Sequence, residues 1–338
     1  MNYRSFSDYA VETFGTKVYR LSLSSGCTCP NRDGTIGSGG CTFCSAGGSG
    51  DFAAPFLPID EQIRRAKLLV DPKFPASVPA DQRRYVGYFQ SYTNTYGDPD
   101  RLLNLFRETA AHPEIAALSI ATRPDCLPDE ILDGLEALNK EKPVWIELGL
   151  QTIHEKTAER IRRGYRLPVF EDAYRRITAR GISVIVHVIL GLPGETREDM
   201  LETVRYLSGL SPVPSGVKLQ LLHILKGTAL AREYAQHPFP VMTLPEYASL
   251  AADCIALLPE ETVIHRITGD GPKRLLIAPL WSADKKRVLN TLRRVIAEDP
   301  RQRIRRNPSS AVKPAPRSPA SSSPAPRSLT HGSLTPGS

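Results

Sequence analysis

The sequence predicts an α/β fold in which parallel strands are covered by helices, as an open barrel or a doubly wound sheet. Three observations carry this expectation. Strand-like and helix-like segments alternate from residue 17 to about residue 224. Several strand segments are nearly continuous apolar runs, the pattern of parallel strands covered by helices. Polar residues recur at the C-terminal ends of the strands, where ligands gather in both architectures.

The elements follow in order. KVYRLSL (17–23) reads as a first strand and leads directly into a cysteine-rich loop. IDEQIRRAKLLV (59–70) has helical apolar spacing. RYVGYFQ (84–90) is a second strand, followed by a helix over 98–112 that opens on Asp98 and Pro99. A strand over 115–123 and a helix over 128–140 come next, then the strand VWIELGLQ (144–151) and the helical HEKTAERIRR (154–163). A helix over 169–180, closed by Gly181, precedes a fifth strand (182–190), a helix (195–207) and a sixth strand, GVKLQLLHI (216–224). A last helix is expected at about 284–298. The cysteine loop, Gln90, Arg123, Gln151 and the loop GLPGE (191–195) all fall at strand C-terminal ends.

Composition bounds the class. The 338 residues are 41% hydrophobic and 23% charged, ordinary for a globular chain with a sizeable core. No apolar run is long enough to span a membrane, and the N-terminus does not read as a signal peptide. With only six cysteines, a reducing cytoplasmic location is expected, and metal binding is favoured over disulfides. The net charge of +7 invites a nucleic-acid reading. However, seven Lys or Arg and no acid follow residue 300, leaving 36 basic against 36 acidic residues in 1–300. The Pro-, Ser- and Ala-rich tail has almost no apolar anchors and is expected to be disordered. The expected division is an N-terminal segment (1–16), the α/β body (17–257), a C-terminal extension packing on it (258–300) and the disordered basic tail (301–338).

The densest chemistry lies in GCTCPNRDGTIGSGGCTFC. Cys29, Cys41 and Cys44 on a Gly-rich loop suit a soft metal or an iron–sulfur cluster. Three thiolates on four irons would leave one iron open to a second molecule. Cys27 adds a fourth thiol, and Cys27-x-Cys29 with Cys41-x-x-Cys44 could close a tetrahedral zinc site. The cysteines alone leave zinc and iron–sulfur open. A zinc ribbon is usually its own small module, so a loop after the first strand of a βα body argues for a catalytic site.

Eight segments in order, CPNRDGTIGSGGCTFC, YFQSYTNTY, TRPDCLPD, ELGLQT, RRGY, HVILGLPGET, KLQLLHILKGT and HRITGDGPKRLLIAPLW, resemble the radical S-adenosylmethionine (SAM) enzymes. Within them the chain is similar to the bacterial YhcC/YtqA-type group, a relative of the catalytic subunit of Elongator. The resemblance covers about residues 17–281. It implies an open partial (β/α)6 radical SAM barrel with a short C-terminal extension. It implies a 4Fe–4S cluster on Cys29, Cys41 and Cys44, with Cys27 a bystander or a fourth thiol. It also implies one-electron cleavage of SAM to methionine and a 5′-deoxyadenosyl radical. The group's spacing before Cys41 is longer than the superfamily's, and Gln90-Ser91 stands where many members carry Gly-Gly-Glu.

Cofactor-side positions carry over by motif. Phe43 matches an adenine contact, Gln151 a ribose ligand and Arg163 a partner of the SAM carboxylate. His187 matches another cofactor-side position, and Gly191 and Gly194 match a close backbone approach to the adenosine. Gln90 is the candidate for the amino-group side. Each has a plainer alternative: a core aromatic, a solvated arginine, a buried histidine, a bare turn. Thr122, Arg123, Asp125, Lys218, His223, Lys226 and His265 are unranked substrate-side or structural candidates, and Cys126 and Cys254 are expected to be structural. The implied substrate is a tRNA wobble uridine or similar RNA base, with a reductant such as flavodoxin or ferredoxin as partner and no acetyl transfer. The alternatives are a small-molecule or protein substrate, a zinc-stabilised nucleic-acid-binding module, or a plain electron-transfer protein.

Overall fold

The computed structural model describes residues 3–48, 55–269, 271–299 and 301. Apart from Arg301, the tail expected to be disordered lies outside them. All six expected strands form: β1 (Val18–Leu23), β2 (Arg84–Phe89), β3 (Ile115–Thr122), β4 (Val144–Gln151), β5 (Ser183–Leu190) and β6 (Gly216–Leu221). They pair in sequence order, every pair parallel. The sixth strand is shorter than expected: after Leu221 the chain leaves the sheet, and β7 (Ile224–Leu225) pairs elsewhere. The C-terminal extension supplies a seventh parallel strand, β8 (Val263–Arg266), on the free edge of β6. It also supplies β9 (Leu276–Ala278), antiparallel to β7.

Helices α2 (Ile59–Val70), α3 (Pro99–Ala111), α4 (Asp129–Glu141), α5 (Glu155–Arg160), α6 (Leu167–Ala179) and α7 (Arg197–Ser208) fill the crossovers. Right-handed crossovers between sequential parallel strands curl the sheet into a half-barrel with helices outside. The expected helix over 154–163 stops at Arg160, because Arg162 takes a left-handed φ of 53° and Gly164 one of 84°. That turn carries Arg163 inward.

Three helices escaped the sequence reading: α1 (Phe6–Phe14), α8 (Ala229–Gln236) and α9 (Leu244–Leu257). A reciprocal capping box begins two of them, Ser5 with Asp8 and Thr243 with Glu246. α10 (Lys285–Glu298) presents Val288, Leu292 and Ile296, one helical face, and packs against α9. No helix among the described residues is long and apolar enough to cross a membrane.

The barrel interior is layered by the two-residue strand period. At the N-terminal ends, Val18, Val86, Ala117, Trp145 and Ile185 pack with Phe6, Tyr9, Ala10 and Phe14. α1 thus plugs that mouth, with the Phe6 ring edge-on to Trp145 at 6.0 Å. Two residues further along come Tyr88, Ser119, Glu147 and His187, joined by Lys218. Above this polar layer the interior opens.

Candidate active site

The cysteine loop leaves β1 and is tied down by its own backbone. The Arg32 and Asp33 amides both donate to the Cys29 carbonyl, at 2.8 and 3.2 Å, and the Gly40 amide donates to the Asn31 carbonyl at 2.7 Å. The loop is moored to the turn after α5. Asn31 Nδ2 donates to the Arg162 carbonyl at 2.6 Å, and the Thr42 amide to the Ile161 carbonyl at 2.9 Å. The same Asn31 amide approaches Cys41 Sγ at 3.6 Å. Gly48 has φ 62°, and its α-carbon faces the Tyr92 ring so closely that a Cβ would lie 2.3 Å from it.

None of the six cysteines forms a disulfide. Cys29, Cys41 and Cys44 line one cavity of about 240 Å3 at the C-terminal ends of the strands. Burial, with the neighbouring Cys44, pushes the Cys41 thiol up to about 12. A thiol buried in this way becomes a thiolate only with a compensating cation, as metal binding supplies. Cys27 does not line the cavity. Its Sγ lies 3.5 Å from Arg101 Nη2 and 4.0 Å from the Ser25 carbonyl. Among the described residues, only His154, Asp199 and Glu202 bring three potential ligand atoms within 4.8 Å of one another.

Of the candidates read from the sequence, Phe43, Gln90, Gln151, Arg163 and His187 share this cavity with the three cysteines. Gly191 and Gly194 do not line it. Their φ values of 91° and 88° serve the turn after β5, and added Cβ atoms would meet Met242 and Arg160. Thr122, Arg123 and His223 line the cavity, Lys226 is exposed, and His265 lies deeper, with Nδ1 2.8 Å from an Arg20 guanidinium nitrogen. Asp125 acts through Arg123, holding its guanidinium by two contacts of 2.9 and 2.7 Å.

Two wall residues carry unpaired polar atoms. Gln151 ends β4 at a register shift with φ 69°, a strained conformation for a residue with a Cβ, and its buried Oε1 has no hydrogen-bond partner. Arg163 is 1% exposed and sits over the Tyr165 ring at 4.6 Å. Its Nη1 donates to the Leu150 and Thr152 carbonyls at 2.9 and 2.6 Å, and Nε donates to the Tyr165 carbonyl at 3.0 Å. Its Nη2, 3.8 Å from a Glu155 oxygen, makes no hydrogen bond. A buried acceptor and a buried cationic donor left open beside three thiols fit a ligand bearing hydroxyl and carboxylate groups, as SAM does.

Of the polar layer beneath, the sequence reading named His187 and Lys218 but missed Glu147, Ser119, Tyr88 and Gln220. Glu147 is 1% exposed; its Oε2 faces Lys218 Nζ and lies 2.8 Å from His187 Nε2, and its Oε1 accepts from Ser119 at 2.7 Å. Lys218 Nζ also reaches the Tyr88 hydroxyl at 3.0 Å, and Gln220 Nε2 reaches His187 Nδ1 at 3.2 Å. Burial disfavours the Glu147 charge, but Lys218 and His187 outweigh it and hold the carboxyl well below its usual range. The available signal was Glu147 itself, a charge amid the apolar run VWIELGLQ.

Comparison with known proteins agrees with this geometry. The Radical SAM superfamily model matches residues 28–207, and the Radical_SAM C-terminal domain model matches 214–298. The uncharacterized protein YtqA of Bacillus subtilis (strain 168) is 40% identical over 291 residues, 86% of this chain and 88% of that protein. Elongator complex protein 3 of Schizosaccharomyces pombe is 25% identical over 178 residues, 52% of this chain but only 32% of that longer protein. An archaeal Methanocaldococcus infernus Elp3 structure shares the fold with a TM-score of 0.55 at 17% identity, over 67% of this chain and 58% of that one.

Proposed function

The chain belongs to the radical SAM superfamily, in the group of YtqA and YhcC, and we propose that it acts on an RNA base, a tRNA wobble uridine. When bound, a 4Fe–4S cluster and SAM supply one-electron hydrogen-abstraction chemistry. In this reading Cys29, Cys41 and Cys44 hold the cluster, and Cys27 takes no part. Phe43 packs on the adenine, Gln151 Oε1 accepts from a ribose hydroxyl, and Arg163 Nη2 donates to the methionine carboxylate. Gln90 faces the amino-group side. Tyr165, braced between Arg123 and Arg163, helps to keep water from the reacting centre. The protein works in the cytoplasm with a reductant such as flavodoxin or ferredoxin.

The observation that carries the cofactor reading is the three-thiol cavity with the open Gln151 and Arg163 atoms in its wall. The RNA reading is supported by the sequence similarity to Elongator complex protein 3. It is also supported by Lys226, Lys273 and Arg274. These exposed cations lie on the flap that β7 and β9 form, continuous with the cavity wall through Leu225 and Pro272. Cations at a cavity mouth suit a phosphate backbone.

Anaerobic reconstitution with iron and sulfide, followed by SAM and dithionite, tests the cofactor reading. The wild type and Cys27→Ala should form 5′-deoxyadenosine, and Cys29→Ala should not. A colourless protein holding one zinc would overturn it. Binding of an anticodon stem–loop should weaken steeply with added salt; no binding at low salt would move the substrate to a small molecule.

A further inference from the structure

The floor of the cavity is set by a run of hydrogen bonds whose directions are not free. It starts at Glu147, which is sealed in the barrel and faces the Lys218 ammonium. As an ionised carboxylate it only accepts, so His187 must donate from Nε2 across 2.8 Å. Burial, then Lys218, lower the His187 pKa. The ring is neutral, and its Nδ1 is an acceptor. The group of Gln220 that lies 3.2 Å from Nδ1 must therefore be its NH2. A glutamine amide can ordinarily serve a ligand in either of two flipped orientations. Gln220 cannot, because a carbonyl turned toward Nδ1 would set two acceptors against each other. Its Oε1 and second N–H are the groups left for a ligand. Gln220 lines the cavity, and among the described residues no hydrogen bond reaches its Oε1.

We propose that Gln220 reads the substrate base, pairing its carbonyl and remaining N–H with an adjacent N–H and C=O, as on the N3–H and O4 edge of uracil. Glu147 and His187 are positioning residues that hold this orientation. The inference rests on the wobble-uridine reading and deepens it. Cytosine offers an acceptor at N3 and a donor at N4, the reverse order, so a locked amide favours uracil where a freely flipping one would serve both.

The test is binding of synthetic anticodon stem–loops to the reconstituted full chain, followed by fluorescence anisotropy. The loops carry uridine, 3-methyluridine or cytidine at the wobble position. The wild type should bind the uridine loop roughly tenfold more tightly than either other loop, the discrimination of a good bidentate pair. Gln220→Leu should bind all three alike. His187→Leu should lose the preference, because the Gln220 amide is then free to flip. Equal, tight binding of all three loops by the wild type would overturn this inference and leave the wobble-uridine reading standing. Retained preference in Gln220→Leu would do the same. Failure to bind any loop would overturn both. The wild-type comparison requires no variant to fold.

Discussion

Glu147 on β4 and Lys218 on β6 meet across β5 in the middle of the barrel, their side chains 0% and 1% exposed. Such a pair gains little over well-packed apolar residues, yet its separation is costly, because one charge is then left buried alone. Here Ser119, His187 and Tyr88 satisfy the remaining valences.

Removing either partner should therefore destabilise more than removing both. Glu147→Gln or Lys218→Met should each cost about 3–5 kcal/mol, and the double variant clearly less than their sum. Urea denaturation of the three variants measures this; additive losses would mean that the charges are not coupled.

Acid should unfold the protein earlier than its surface carboxylates would. Burial depresses the pKa of both His187 and His265, so below the ordinary histidine value of 6.5 the unfolded chain binds protons that the native one refuses. The histidine contribution is thus fully present above that value and is lost as pH falls through the folded values. Glu147, also depressed, extends the loss into the carboxylate range. Melting temperature against pH should begin to fall near 6.5, and a profile flat down to pH 5 would contradict the buried neutral histidines.

Gln151 holds φ 69°, where glycine is at ease. Gln151→Gly should leave stability unchanged or raise it by about 1 kcal/mol while weakening SAM binding. Thermal melting and equilibrium dialysis with labelled SAM separate the two effects; a large loss of stability would show that the side chain serves the fold.

Gly48→Ala should displace Tyr92 or the loop that carries the cysteines, since its Cβ would stand 2.3 Å from the ring at a φ that disfavours side chains. Iron retained after reconstitution and gel filtration should drop at least severalfold, with little change in the melting of the barrel. Full iron occupancy would mean that the loop absorbs the methyl group.

Arg163→Lys keeps the charge but loses the fork that gathers the Leu150, Thr152 and Tyr165 carbonyls. A loss of about 2 kcal/mol is expected, as buried carbonyls lose charged donors. Chemical denaturation checks it.

The strand order, the crossover helices and the position of the cysteine loop were all legible, because apolar period and chain order dictate how parallel βα units pair. Motif resemblance also singled out Cys29, Phe43, Cys41, Cys44, Gln90, Gln151, Arg163 and His187, and these line one cavity. The seventh strand was not legible, since VIHR is too short to stand out from its surroundings without the open edge of β6 beside it. Gly191 and Gly194, also singled out by motif, lie in the turn after β5 with Met242 and Arg160 beside them.

By itself the sequence determined that the cysteine loop and the polar residues at the strand ends meet at one end of a parallel α/β barrel. That follows from local pattern, because every βα loop returns to the same end. Only the tertiary structure decided that Cys27 turns to Arg101, outside the cavity, and that Glu147, His187, Lys218 and Gln220 form one connected layer. Those outcomes depend on contacts between residues up to 74 positions apart, Cys27 and Arg101, which no local pattern encodes.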